Sequence, residues 1–152
     1  MRKLIDKLVG SHRKEAVNIL KRKELILGGT MIAIDPSSLS MGYAVFKQGK
    51  LVENNVITAK GNIGFRLNKL CEMLPDISPD VVIVEKVRSN TGHIYLTWST
   101  GAAVARYPAF ICEVAFYAWK KNVGADYEKS DARDALEIGN FAITLCKEDE
   151  EV

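Results

Sequence analysis

The chain has 152 residues, of which 47% are hydrophobic and 26% charged, and its formal net charge is +2. That length holds about one domain of roughly 100–200 residues and excludes a second full one, while the composition suits a globular core. So small a net charge excludes any inference of nucleic-acid or membrane binding from overall charge, leaving its distribution to carry that argument.

Residues 1–24 hold the positive charge: Arg2, Lys3, Lys7, Arg13, Lys14, Lys21, Arg22 and Lys23 face only Asp6, Glu15 and Glu24. Leu4, Ile5 and Leu8 fall at helical spacing, as do Ala16, Ile19 and Leu20, with Gly10-Ser11 as a break between them. Two short basic helices are expected, an extension equally suited to phosphate contact and to partner docking. An Arg-rich organelle presequence fits less well, because such segments avoid acids.

The body, residues 25–147, opens with Ile26 to Ile34, read as a strand buried on both faces and closed by Asp35-Pro36-Ser37-Ser38. A second strand over 42–46, a turn at Gln48-Gly49-Lys50 and a third strand over 51–58 make a meander. Ile63, Leu67, Leu70, Cys71 and Leu74 give an amphipathic helix stopping before Pro75. Val81-Val82-Ile83-Val84 is a second fully apolar strand, ending in Glu85. A helix over 95–105, a fifth strand over 111–119 and a helix over 131–146 follow. The order βββαβαβα describes one α/β domain with a five-stranded mixed sheet flanked by helices. Residues 148–152 read as a frayed acidic tail.

Cys71, Cys112 and Cys146 are odd in number and lack a C-x-x-C spacing, which reads as packed thiols in a reducing cytoplasm and argues against a zinc site. No apolar run approaches the roughly 20 residues of a membrane span. A soluble, non-secreted protein with no membrane partner is expected.

Both fully apolar strands end in an acid, Asp35 and Glu85. In an open α/β sheet ligands sit beyond the carboxyl ends of the strands. If these two strands are parallel neighbours about 4.8 Å apart, the acids share a crevice. Asp131 and Asp134, at i and i+3 of the last helix, lie on one of its faces and bring the set to four. Two such charges at ~5 Å and an effective dielectric of ~20 repel by about 3 kcal/mol, so the cluster requires cations or bound protons. Oxygen donors without His or Cys point to Mg²⁺ or Mn²⁺, and two such ions can drive an in-line phosphoryl displacement. Each acid also has a plainer role: Asp35 as a turn residue before Pro36, Glu85 as an ion-pair partner of Lys86 or Arg88, and Asp131 and Asp134 as first-turn acids behind the N-cap Ser130.

Across roughly residues 30–146 the chain resembles the RuvC family of Holliday junction resolvases, within the ribonuclease H-like nucleases, and most its small phage-type members. The likeness lies in Ile32-Ala33-Ile34-Asp35-Pro36-Ser37 with Met41-Gly42-Tyr43-Ala44-Val45, in Val82-Ile83-Val84-Glu85-Lys86-Val87 with Asn90 following, in Gly101-Ala102-Ala103-Val104, and in Ser130-Asp131-Ala132-Arg133-Asp134-Ala135-Leu136. It implies a ribonuclease H-like fold and a homodimer that nicks a four-way DNA junction symmetrically, leaving 5′-phosphates. It implies two Mg²⁺ per site, with Mn²⁺ as a substitute and no small-molecule cofactor. Asp35 matches the metal-bridging acid, Glu85 the second ligand, and Asp131 and Asp134 the helical pair. Lys120 or Lys121 lies where the family often carries a basic residue. A phage-encoded member would act in the host cytoplasm.

Three departures stand out: Ser37 replaces the usual glycine, the segment from Trp119 to Ser130 is shorter than in bacterial members, and Arg88 replaces an aromatic wedge. Lys86, Arg88, Lys120, Lys121, Lys129 and Arg133 are the expected nucleic-acid contacts. His12 and His93 read as surface residues, and Tyr95, Trp98, Tyr117 and Trp119 as core rather than base-stacking platforms. The rival readings are a ribonuclease H-like or YqgF-like nuclease acting on RNA or hybrid, a non-catalytic nucleic-acid-binding module, and an actin-like ATPase. The last needs a duplicated, longer chain.

Overall fold

A computed structural model describes residues 2–37, 39–87, 94–120 and 130–151, with the side chains of residues 116 and 117 set aside. Five strands form one mixed sheet in the order β3-β2-β1-β4-β5: β1 Thr30–Pro36, β2 Ser40–Lys47, β3 Lys50–Thr58, β4 Val81–Glu85 and β5 Phe110–Val114. The first three pair antiparallel, whereas β1, β4 and β5 run parallel. The β2–β3 turn needs two left-handed residues, supplied by Gln48 (φ 52°) and Gly49 (φ 76°), the geometry that matches strand twist in a two-residue hairpin.

Side chains alternate along each strand and so divide two cores. Met31, Ala33, Ala44, Phe46, Val81 and Ile83 point to one face, together with buried residues of α1 (Gly10–Leu20) and α6 (Asp131–Glu150). Ile32, Ile34, Tyr43, Val45 and Val82 point to the other, against α3 (Ile63–Met73) and α4 (Ile94–Ala105). The Asn62 side chain caps α3 by accepting from the Gly64 N–H at 3.2 Å, and the Tyr107 hydroxyl donates to the Pro75 carbonyl at 2.7 Å behind its last turn.

The basic N-terminal segment belongs to the first core. Leu4, in a 3₁₀ turn over Leu4–Lys7, and Leu8, Ala16 and Ile19 are all buried there, and burying each leucine or isoleucine is worth about 1.5–3 kcal/mol.

Three expectations about element bounds are corrected. The first strand begins at Thr30, because Lys23–Gly28 forms helix α2 and carries Ile26 into the core beside the sheet. There the Asp80 carboxylate accepts the Thr30 N–H at 3.0 Å and closes the space beside Gly29, which has no room for a Cβ. The fifth strand stops at Val114. The Glu15 carboxylate takes the Ala115 N–H at 3.2 Å, and Phe116–Lys120 turns into helix α5, burying Ala118 and Trp119. Residues 148–150 are helical rather than frayed: Glu148 accepts the Leu4 N–H at 2.6 Å and Lys23 pairs with Asp149 at 2.9 Å and Glu150 at 3.5 Å. No helix among the described residues is long and apolar enough to cross a membrane.

Candidate active site

Alternation along the strands aims two of the acids. Asp35 continues the Met31–Ala33 row and Glu85 the Val81–Ile83 row, so both emerge on the α6 side of the sheet. The parallel register pairs Ile34 with Val84, which leaves Asp35 and Glu85 as the next residues on neighbouring strands. Helix α6 crosses this face and contributes Asp131 and Asp134 from its first turn. Asp35 is 7% exposed and Asp134 3%.

Several residues fix α6 over the strand ends. Gly42, paired with Asp35 across β1 and β2, lies directly against the Asp131 carbonyl, where no Cβ fits. Gly139 lies as closely against the Phe46 ring. Asn54 of β3 donates to the Ala132 carbonyl at 2.8 Å and the Tyr43 carbonyl at 2.9 Å, tying helix to sheet. Ser130 caps the helix by accepting from the Arg133 N–H at 3.1 Å. First-turn acids therefore favour the helix macrodipole as well as the site, and the two roles coincide. On the opposite face the buried Ser99 hydroxyl donates to the Ser37 carbonyl at 2.7 Å, fixing the turn after Asp35.

The electrostatics join the four acids. Burial above all, then the charges of Glu85, Asp134 and Asp131 and a hydrogen bond with Glu85, push the Asp35 carboxyl up to about 9. It therefore carries a proton at neutral pH, which relieves the crowding of negative charge. Two neutral donors steady the rest: the Ser40 hydroxyl bonds the Asp131 carboxylate, and the buried Trp119 indole N–H donates to Glu85 at 3.3 Å. No group of three or more His, Cys, Asp or Glu among the described residues forms a ready-made metal cage. A proton, a hydroxyl and an indole thus hold the carboxylates. The donor set consists of hard oxygens with excess negative charge, which fits a hard divalent cation.

The expected basic contacts fare differently. The Lys86 ammonium pairs with Glu15 of α1 at 3.2 Å, Arg133 with Glu137 at 3.2 Å on the outer face of α6, and Lys120 lies 5.8 Å from the Trp119 ring. Arg88, Asn90, His93, Lys121 and Lys129 lie outside the described residues. Trp119 is core, as expected, but Tyr95 and Trp98 are about half exposed, with rings 5.4 Å apart. Both sit at the start of α4, where the second core ends.

Sequence reasoning passed over Ser40, Asn54 and Ser99. Only Ser40, two residues before Gly42 on the strand facing Asp35, carried a usable signal, since a hydroxyl beside a close-approach glycine faces whatever packs there.

No protein-family model and no curated protein matches the chain. Solved structures do resemble it in fold. The RuvC of Thermus thermophilus in complex with a Holliday junction substrate superposes with a TM-score of 0.58 at 18% identity, over 76% of this chain and 90% of that one. The Thermus thermophilus RuvC structure gives a TM-score of 0.51 at 19% identity, over 76% and 92%. The fold of the chain is thus RuvC-like, a ribonuclease H-like sheet with its flanking helices.

Proposed function

We propose that the protein is a divalent-metal-dependent, structure-selective endodeoxyribonuclease that resolves four-way DNA junctions as a homodimer by paired symmetric nicks. The observation that carries this reading is the buried Asp35 with Glu85, Asp131 and Asp134 around it, at the carboxyl ends of two parallel strands. The likeness in fold to a RuvC bound to a Holliday junction supports the choice of substrate.

Asp35, Glu85, Asp131 and Asp134 would hold two Mg²⁺, with Mn²⁺ as a substitute. When bound, the ions supply activation of a water and stabilisation of the leaving oxygen at a phosphodiester, giving 5′-phosphate and 3′-hydroxyl ends. The protein's part is positional. Asp35 gives up its proton to become a ligand, while the Trp119 indole and the Ser40 hydroxyl orient the facing oxygens of Glu85 and Asp131, as outer hydrogen bonds do at metal sites. Lys86 and Arg133, beside these acids in sequence, stand with Lys120 as contacts to the flanking phosphates, and Arg88, Lys121 and Lys129 extend that set.

The deciding experiment incubates labelled four-way junctions, linear duplexes and RNA–DNA hybrids side by side with a Mg²⁺ and Mn²⁺ titration. Paired nicks in the junction that vanish in Asp35→Asn and Glu85→Gln, with junction binding retained, are expected. Cutting of hybrids alone would replace the junction reading by a ribonuclease H one.

A further inference from the structure

The basic helix α1 lies outside the segment that resembles the resolvase family, yet it is built into the molecule. It runs antiparallel to the edge strand β5. Glu15 bonds the Ala115 N–H and Lys86 at one end, the Cys112 thiol reaches the Asn18 carbonyl in the middle, and the Arg22 guanidinium stacks 3.7 Å over Phe110 at the other. Between α1 and α4, over the open edge of β5, lies a cleft of about 880 Å³.

One face of each helix lines this cleft. Ser11, Lys14, Glu15 and Asn18 recur at helical spacing on α1, as Thr97, Thr100, Gly101 and Val104 do on α4. Gly101 faces open space. Lys86 and Val87, the two residues after Glu85, close the end beside the acids. From Ser11 to Asn18 the α1 wall spans roughly 10 Å at 1.5 Å per residue, and Lys21 and Arg22 continue it just past the end of the helix.

The charges choose the occupant. Lys14 and Lys21 are exposed and make no ion pair among the described residues, and both also border a neighbouring hollow with Arg13. Of the two acids lining the cleft, Glu15 is taken up by Lys86 and the Ala115 N–H, leaving Glu113 against Lys14, Lys21 and Arg22. A second copy docking here would set like-charged helices against each other.

We infer that this cleft is a nucleic-acid strand site, in which Lys14, Lys21 and Arg22 hold the phosphates of a substrate arm leading to Glu85. This rests on the reading of the acids as a DNA-cleaving site.

The test is junction binding by the full chain in chelator, measured by fluorescence anisotropy across a salt series. At 0.1 M salt, counterion release is worth about eightfold in affinity per phosphate contact. Lys14→Gln with Lys21→Gln should weaken binding by about 25- to 60-fold and reduce the log–log salt slope by about 1.4–1.8. Gly101→Trp, which narrows the cleft without altering charge, should weaken binding and, by displacing the strand from the lysines, reduce the slope as well. Wild-type slope and affinity in both variants would overturn the strand site while leaving the nuclease reading intact if Asp35→Asn still abolishes cleavage. A change in sedimentation of the double variant would overturn it too, making the cleft a subunit contact. A wild-type chain that neither binds nor cuts DNA would instead remove the nuclease reading, and this site with it.

Discussion

The proton on Asp35 makes stability depend on pH in an unusual direction. Folding raises this carboxyl from 3.8 to about 9, so the folded state holds a proton that the unfolded chain releases between those limits. Unfolding then becomes easier as pH rises, by up to about 1.4 kcal/mol per pH unit. From pH 6 to pH 8 the loss is about 3 kcal/mol, and at roughly 2–4 °C per kcal/mol for a chain of this size Tm falls by about 6–12 °C. Asp35→Asn keeps the size and hydrogen-bonding capacity of the protonated acid and removes its titration, while the titrating groups outside the four-acid cluster are common to both proteins. Thermal unfolding of the two in chelator at pH 6, 7 and 8 should give lines that diverge, the wild type losing stability relative to the variant with each step. Parallel lines would refute the reasoning, because they would mean that Asp35 is ionised in the folded protein and the four carboxylates do not share a field.

Millimolar Mg²⁺ at pH 8 should raise the Tm of the wild type and leave Asp35→Asn nearly unmoved; at 100 times its Kd the ion adds about 2.7 kcal/mol. Ser40→Ala and Trp119→Phe remove one hydrogen bond each from the carboxylates and should lower metal affinity or cleavage by roughly 10–100-fold, as outer-shell changes do; metal-titrated cleavage measures both. Gly42→Ala forces a methyl into the Asp131 backbone and should cost about 1–3 kcal/mol along with activity. Gly28→Ala, which meets open space, should change stability in urea unfolding by less than about 1 kcal/mol.

Much of the fold was legible because apolar period and strand termini carry it. Val81–Val84 reads as a strand buried on both faces and is one, and Asp35 and Glu85 mark strand ends whose parity sends both to one face. Ile26 and Leu27 misled because a short apolar run fits a buried strand and a buried helical turn equally; Gly28-Gly29 and the Asp80 contact decide between them in three dimensions. The second half of the strand expected over 111–119 failed similarly, since β5 ends at Val114. Trp119 belongs to the core whichever backbone delivers it, and the turn at Ala115 depends on Glu15, one hundred residues away. Ser40, Asn54 and Ser99 act through single long-range hydrogen bonds, which leave no periodic trace.

Helix α6, with 20 residues, is a rod of about 30 Å that packs on the sheet along its length and is tied by polar contacts at both ends. Its first turn bears on Gly42 and Asn54 beside Asp35; its last turn is moored to Lys23, Leu4 and Lys3 of the N-terminal segment. One rigid element therefore joins the distal mooring to Asp131 and Asp134, and its seating on the core sets where both acids lie. A bulky fusion at the carboxyl terminus and a truncation of the first residues would then disturb the same two aspartates from opposite ends of the chain.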